Sequence, residues 1–475
     1  MKRHLTSTAP GALLALLAVL AWGAVPANAA PASDMPPFGA DKPLPPLKVV
    51  RQTLPNGLQL WVLPRNGPPR VDALLVLRGA GNAADAADRP GQAGLLADLL
   101  TEGTQQRDAK ALAEAVQALG GNLGAAAAAD GMLLSANALA SQAEPLLRLL
   151  AEVARLPSFP EKEVALAREN ALQALKAAQA TPGFRADGAL QRAVFGDHPY
   201  GRTQPTEASI NAVTAEGLHA EHARRFRPDR ALLIVAGRVT PAQVQGWVRA
   251  AFGDWKAQGD ALPEPPAPAT SAAPQRLLLE RPGSVQATVR LGRPGAPAST
   301  PDYVALRLAS TVLGGGFSSR LNFNLREEKG YTYGASASAR SFRHGGSIVG
   351  AADVRNEVTG AALQEFVAEY RRIGSELVPA DELTLNKRYL AGNTLLGIQQ
   401  QAGLAQTLAR NWLVGLPPGF LGEFVPRLHK VSAQQVRAMG AKYFAPETQS
   451  IVIVGDKAAV AEQLKAFGDF VTPAK

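Results

Sequence analysis

Apolar residues recur along this chain with two periods. In residues 91–104, GQAGLLADLLTEGT, Leu95, Leu96, Leu99 and Leu100 fall at helical spacing, and Gly103 is placed to end the turn. The same pattern predicts helices over 91–102, 109–119, 141–155, 160–178 and 214–225. Further along it predicts helices over 301–313, 318–328, 357–373, 380–400, 403–413 and 433–442. Strand-like runs lie at Ala73–Leu77 and Met132–Leu139, then near 276–280, 286–291, 331–340 and 346–353. The segment TLPNG (53–57) sets an Asn-Gly turn between two such runs, which signals a hairpin.

The pattern also repeats. Residues 226–237 read FRPDRALLIVAG and residues 444–455 read FAPETQSIVIVG, at a constant offset of 218. Val213-Thr214-Ala215 matches Val431-Ser432-Ala433 in the helix before each strand. A helix ending in AFGDW (251–255) or AFGDF (466–470) follows. The chain therefore contains two copies of one α+β unit, each closing with helix, strand, helix. Residues 258–275, rich in Pro and Ala, read as the linker between a first domain at 48–257 and a second at 276–475.

Composition narrows the setting. At 475 residues the chain is too long for one core. Lys2, Arg3 and His4, an apolar run from Ala12 to Val25 and the small-x-small pattern Ala27-Asn28-Ala29 make residues 1–29 a cleavable signal peptide. That run is too short to span a bilayer comfortably, and no other stretch approaches a span. Residues 30–47, rich in Pro and Ala, read as a flexible leader. An exported chain with no cysteine can form neither a disulfide framework nor a lipidated N-terminal Cys, and it suits a periplasm. Loss of Lys2 and Arg3 lowers the formal charge from +9 to +7, and no basic run or aromatic-basic patch marks a nucleic-acid partner.

Chemistry has few carriers. Of the six histidines, only His219 and His222 lie close together, three apart on a helix, and no third zinc ligand accompanies them; a solvated helix face fits them better. LGGGFSSRL (313–321) resembles a helix C-cap running into an N-cap at Ser318 and Ser319, and lacks the Gly-Lys-Ser/Thr ending of a phosphate loop. Beyond it, Arg326 sits near a helix end, Gly330 breaks the helix and Tyr333 lies on the next strand. The turn can bring a guanidinium and a phenol together, two donors able to polarise a peptide carbonyl. Spacing alone favours the plainer alternative, a surface Arg paired with a neighbouring Glu and a Tyr packed on a sheet.

TLPNG (53–57), DRPGQAGLLADLLTEGT (88–104), HPYGR (198–202), RPDRALLIVAG (227–237) and LGGGFSSRLNFNLREEKGYTYG (313–334) together resemble the M16 peptidases, the pitrilysin or insulinase-like zinc proteases, in their two-domain bacterial branch. The resemblance implies a tandem pair of similar α/β-sandwich domains, each a mixed sheet with helices packed on one side. In active members the segment matching 91–104 carries His-x-x-Glu-His, whose imidazoles bind zinc while the Glu is general base. Here those positions are Gly94, Ala97 and Asp98, and Glu169 falls roughly where the family places a third ligand. Arg326 and Tyr333 match the family's pair of donors to the substrate carbonyl and oxyanion. The implied protein is a periplasmic subunit with no metal of its own. Its partner would be an HxxEH-bearing subunit that supplies zinc, and the substrate an extended or unfolded polypeptide. A purely structural or peptide-binding protein, with no need of Arg326 and Tyr333, is the rival reading. An autonomous zinc peptidase using His219 and His222 is a third.

Overall fold

The computed structural model describes residues 47–271 and 273–472. The expected signal peptide (1–29) and most of the expected leader, up to residue 46, lie outside the described residues. The first sheet contains β1 (Val50–Thr53), β2 (Gln59–Pro64), β3 (Arg70–Arg78), β4 (Asn122–Ala127), β5 (Gly131–Leu139) and β6 (Ala231–Gly237), in the order β1-β2-β6-β3-β5-β4. The second contains β7 (Arg276–Glu280), β8 (Gln286–Gly295), β9 (Thr332–Ser341), β10 (Gly346–Arg355) and β11 (Ser450–Gly455), in the order β7-β11-β8-β10-β9.

Apart from β1, the two orders are the same. The late strand of each half, β6 or β11, enters the middle of its sheet, parallel to one neighbour and antiparallel to the other. The repeat in the sequence is thus a repeat of topology. Every residue of ALLIVAG in β6 and of SIVIVG in β11 is buried, as a strand covered on both faces requires. TLPNG closes the β1–β2 hairpin, with Gly57 at φ +92 and Asn56 Nδ2 donating to the carbonyls of Phe252 (2.7 Å) and Trp255 (3.0 Å).

Each sheet carries most of its helices on one face, and the opposite face is covered by a helix from the other half. Helix Pro182–Phe195 lies on β7, β8 and β11, burying Ala186, Leu190 and Val194 against Leu277, Val349, Val452 and Val454. A side chain on Gly292 would meet Ile348 O at 2.7 Å and the Leu190 side chain at 3.1 Å, so glycine there spares the sheet a clash and lets the helix lie close. Helix Gln401–Leu413 lies across β3 and β6, and Arg78 stacks on its Trp412 at 3.9 Å. This exchange makes one unit of the two halves.

Within the Pro-rich stretch, residues 262–266 are laid against both halves. Arg230 Nη1 donates to Leu262 O at 2.6 Å, and His198 Nε2 lies 2.8 Å from Pro266 O. Glu264 pairs with Arg343 and His344, each at 3.2 Å, on the turn between β9 and β10. Beside it Tyr200, from HPYGR, donates to the buried carboxylate of Asp130, which also accepts from Arg343 N at 2.9 Å. Burial raises the pKa of both Asp130 and Tyr200. Tyr200→Phe should therefore cost about 1–3 kcal/mol in urea unfolding, because Asp130 stays buried and loses its side-chain donor.

Departures from the expected elements have local causes. The helices at 182–195 and 420–429 and strand β4 were not foreseen. β4 reads NLGAAA, with no β-branched residue, and the 420–429 helix holds Pro426. The helix expected over 318–328 is one turn at Arg320–Asn322 continued as a π-helix over Phe323–Glu328. Ser319 does not cap it; its hydroxyl donates to Gly316 O at 2.6 Å.

Candidate functional site

Helix Gln92–Leu99 begins at Gly91 (φ +86), where Asp85 supplies the cap: its carboxylate accepts from Gly91 N at 2.9 Å and Ala93 N at 3.1 Å. Leu95, Leu96 and Leu99 bury the inner face, as does Ala97. Gly94 and Asp98 face outward, and a side chain at Gly94 would meet nothing within 4 Å. The space a ligand would need is there and the donors are not.

A cleft of about 340 Å³ separates this helix from helix Glu161–Gln179, lined by Asp98, Glu102, Glu163, Asn170 and Ala174 among others. Glu169, on helix Glu161–Gln179, is exposed and is not among the residues lining the cleft. Burial raises the Asp98 carboxyl; Glu102 is raised by burial first, then by Glu163 and Asp98. No group of three or more His, Cys, Asp or Glu among the described residues could hold a metal ion. Gly94, Ala97 and Asp98 do not fit zinc.

His219 and His222 do not form a metal site either. His222 lies 2.9 Å from Ala154 O and stacks on Phe226, while His219 meets the edge of Phe159. Burial pushes the His222 pKa down to about 4. The folded state thus favours neutral imidazole, and stability is lost as pH falls from the unfolded value near 6.5 towards 4. Partial exposure discounts this to about 1–2 kcal/mol between pH 8 and 5. Unfolding midpoints at the two pH values, compared with those of His222→Phe, measure it.

The second half presents the opposite picture. Gly314 ends helix Tyr303–Gly314 against β9, where a side chain would come within 2.0 Å of Ala337 N. Asn322, buried, donates to Phe317 O at 2.6 Å and accepts from Ala335 N at 3.2 Å, tying the glycine loop to β9. Arg320 forks onto Glu382 with two 2.8 Å hydrogen bonds. On this clamped base the π-helix carries Arg326, stacked over Phe317 at 4.3 Å and 3.4 Å from Glu327. The wide turn closes with Lys329 N on Asn324 O and Tyr331 N on Leu325 O, and Gly330 turns it at φ +62. Tyr333 then emerges on β9, the edge strand, and is 90% exposed. The phenol is therefore not packed on the sheet, while the Arg–Glu pair of the plainer reading is present beside the Arg–Phe stack.

Motif reading missed the surroundings. Among the described residues the large aromatic side chains that are exposed are Phe317, Phe323, Tyr333 and Tyr389. A side chain at Gly316 would strike Tyr389 at 3.0 Å. Phe317 and Phe323 were visible as apolar residues in a loop and a surface turn, a signal that Arg326 overshadowed. Exposed aromatics beside an arginine are the composition of a contact surface.

Comparison with known proteins agrees with this architecture. The family model described as Insulinase (Peptidase family M16) matches residues 62–205, and that described as Peptidase M16 inactive domain matches 212–390. An uncharacterized zinc protease of Mycobacterium leprae is 29% identical over 82% of this chain and 88% of its own. A non-peptidase homolog of Helicobacter pylori is 22% identical over 76% and 83%. The crystal structure of a peptidase M16 inactive domain from Pseudomonas fluorescens superposes with a TM-score of 0.82, at 26% identity, over 87% of this chain and all of that one. The fold is that of a tandem peptidase-like α/β pair. The chain belongs to the M16 peptidase family.

Proposed function

We propose that this chain is the zinc-free subunit of a two-chain M16 metallopeptidase in the periplasm. The partner, an HxxEH-bearing M16 chain, supplies the metal and the general base. This chain brings Arg326 and Tyr333 to the scissile peptide as donors to the substrate carbonyl and the developing oxyanion. One contrast carries the reading: the positions of the metal motif hold Gly94, Ala97 and Asp98, while Arg326 and Tyr333 stand on an exposed aromatic surface built by a clamped loop. A chain kept only for scaffolding has no use for a 90% exposed phenol on an edge strand. Substrates are extended or unfolded polypeptides.

The purified chain should retain no stoichiometric zinc after dialysis and cleave no peptide. Co-purified with an HxxEH-bearing partner, it should yield a zinc-containing complex that cleaves unfolded polypeptides. Zinc-dependent cleavage by the isolated chain, or failure of any such partner to associate, would overturn the proposal.

A further inference from the structure

A cavity of about 350 Å³ lies in the first half, where helices Ala143–Arg155 and Pro241–Phe252 end beside helix Ala215–Arg225. Leu156, Pro157 and Phe226 supply its apolar part, and the rest of its lining is polar. Carbonyls at the helix ends are already met: His222 Nε2 lies 2.9 Å from Ala154 O, and Arg155 Nη1 donates to Ala251 O. Arg155 also pairs with Asp254 at 2.9 Å. Those contacts account for Arg155 and Asp254 without a ligand.

Other polar groups of the lining are left over. Trp255 is 5% exposed, yet its indole N–H meets no acceptor among the described residues and is not sealed from solvent. A donor so placed is met by water or by a ligand. The side chains of Gln105, Gln258, His219 and Lys256 also make no hydrogen bond or ion pair among the described residues. Because the Ala154 carbonyl only accepts, His222 carries its proton on Nε2 and keeps Nδ1 as an acceptor. Two amides, an indole N–H and imidazole nitrogens mix donors with acceptors, and hydroxyl groups, which do both, match such a mixture. Arg155 and Asp254 balance each other, so Lys256 brings a positive charge that no described residue offsets.

We propose that this cavity binds a single sugar ring bearing one acidic group, a carboxylate or a phosphate. Lys256 pairs with the acid, while the ring hydroxyls accept from the indole and the amides and donate to His222 Nδ1. The volume is at the small end of ligand cavities, about 300–1,000 Å³, and suits one ring rather than an oligosaccharide. A bare inorganic anion would use Lys256 and leave the amides and the indole to water. The lining shares no residue with Arg326, Tyr333 or the cleft beside Asp98, so the test is independent of the proposed function.

That test is isothermal titration calorimetry of the purified chain with D-glucuronate, glucose 6-phosphate, glucose and inorganic phosphate. At least one acidic sugar should bind on the order of tenfold more tightly than both glucose and inorganic phosphate, and which one does so tells carboxylate from phosphate. Lys256→Gln, at an exposed position, should keep the wild-type unfolding midpoint and reduce the acidic sugar to the affinity of glucose. Trp255→Phe keeps an aromatic ring against Phe252 and should weaken every sugar by removing the N–H. Absence of binding by both acidic sugars at about 10 mM would overturn the proposal. So would glucose or inorganic phosphate binding as tightly as they do, an unchanged preference in Lys256→Gln, or unchanged affinity in a folded Trp255→Phe chain.

Discussion

Tyr333→Phe in the assembled two-chain complex should lower kcat/KM by about 10²–10³-fold, and Arg326→Ala by a comparable factor, as removal of a single oxyanion donor does elsewhere. The phenol is 90% exposed and, among the described residues, the guanidinium stacks on Phe317 and reaches Glu327, so neither change opens a cavity or strands a buried charge. Zinc content, subunit association and unfolding midpoint should therefore be those of the wild type. Losses confined to kcat identify donors used in the transition state, whereas a rise in KM alone identifies uniform substrate binding. The double variant should lose less than the product of the two single losses, because the residues serve one developing charge. Unchanged turnover in both single variants would leave the chain a scaffold.

The turn at Gly330 was legible from its sequence signature, whereas spacing alone favoured a surface Arg–Glu pair and a packed Tyr, and Arg326 and Tyr333 were singled out as a pair by the family resemblance. The form of the helix before that turn was not legible. FNLREE carries ordinary helical periodicity, which shows neither the π-turn nor the fastening of the turn before it by Asn322 to Phe317 and Ala335 and by Arg320 to Glu382. The topological repeat was readable in β6 and β11, whose apolar runs are complete. Helix 182–195 was not: PGFRADGALQRAVF packs against β7, β8 and β11 of the other half, and its pattern carries no trace of those partners. The repeat predicts two like modules, but which face each module covers depends on contacts between them.

Arg225→Met should destabilise the chain by about 3–5 kcal/mol, read as a lowered urea midpoint. The Arg225 side chain is completely buried, with Nη2 2.9 Å from Asp85 and Nε 2.9 Å from Glu221. Its Nη1 also donates to the carbonyls of Ala80 (3.2 Å) and Gly81 (3.1 Å). Methionine preserves much of the packing, so the loss isolates the stranded acceptors and the uncompensated Asp85 charge. Burial already raises the Asp85 carboxyl despite Arg225 beside it. Without that cation its pKa rises further above the unfolded value, so the deficit relative to wild type should narrow as pH falls and the carboxyl is protonated. Adding Asp85→Asn to Arg225→Met should restore part of the loss, because the buried charge goes while the single amide oxygen can still accept from one of Gly91 N and Ala93 N, which bond different carboxylate oxygens. The same carboxylate caps helix Gln92–Leu99, so amide exchange at Gly91 and Ala93 should accelerate in the single variant. A wild-type midpoint with slow exchange would show that the leucine face alone holds this helix in place. A lowered midpoint with faster exchange would show that the helix carrying Gly94, Ala97 and Asp98 is held in place by a buried ion pair.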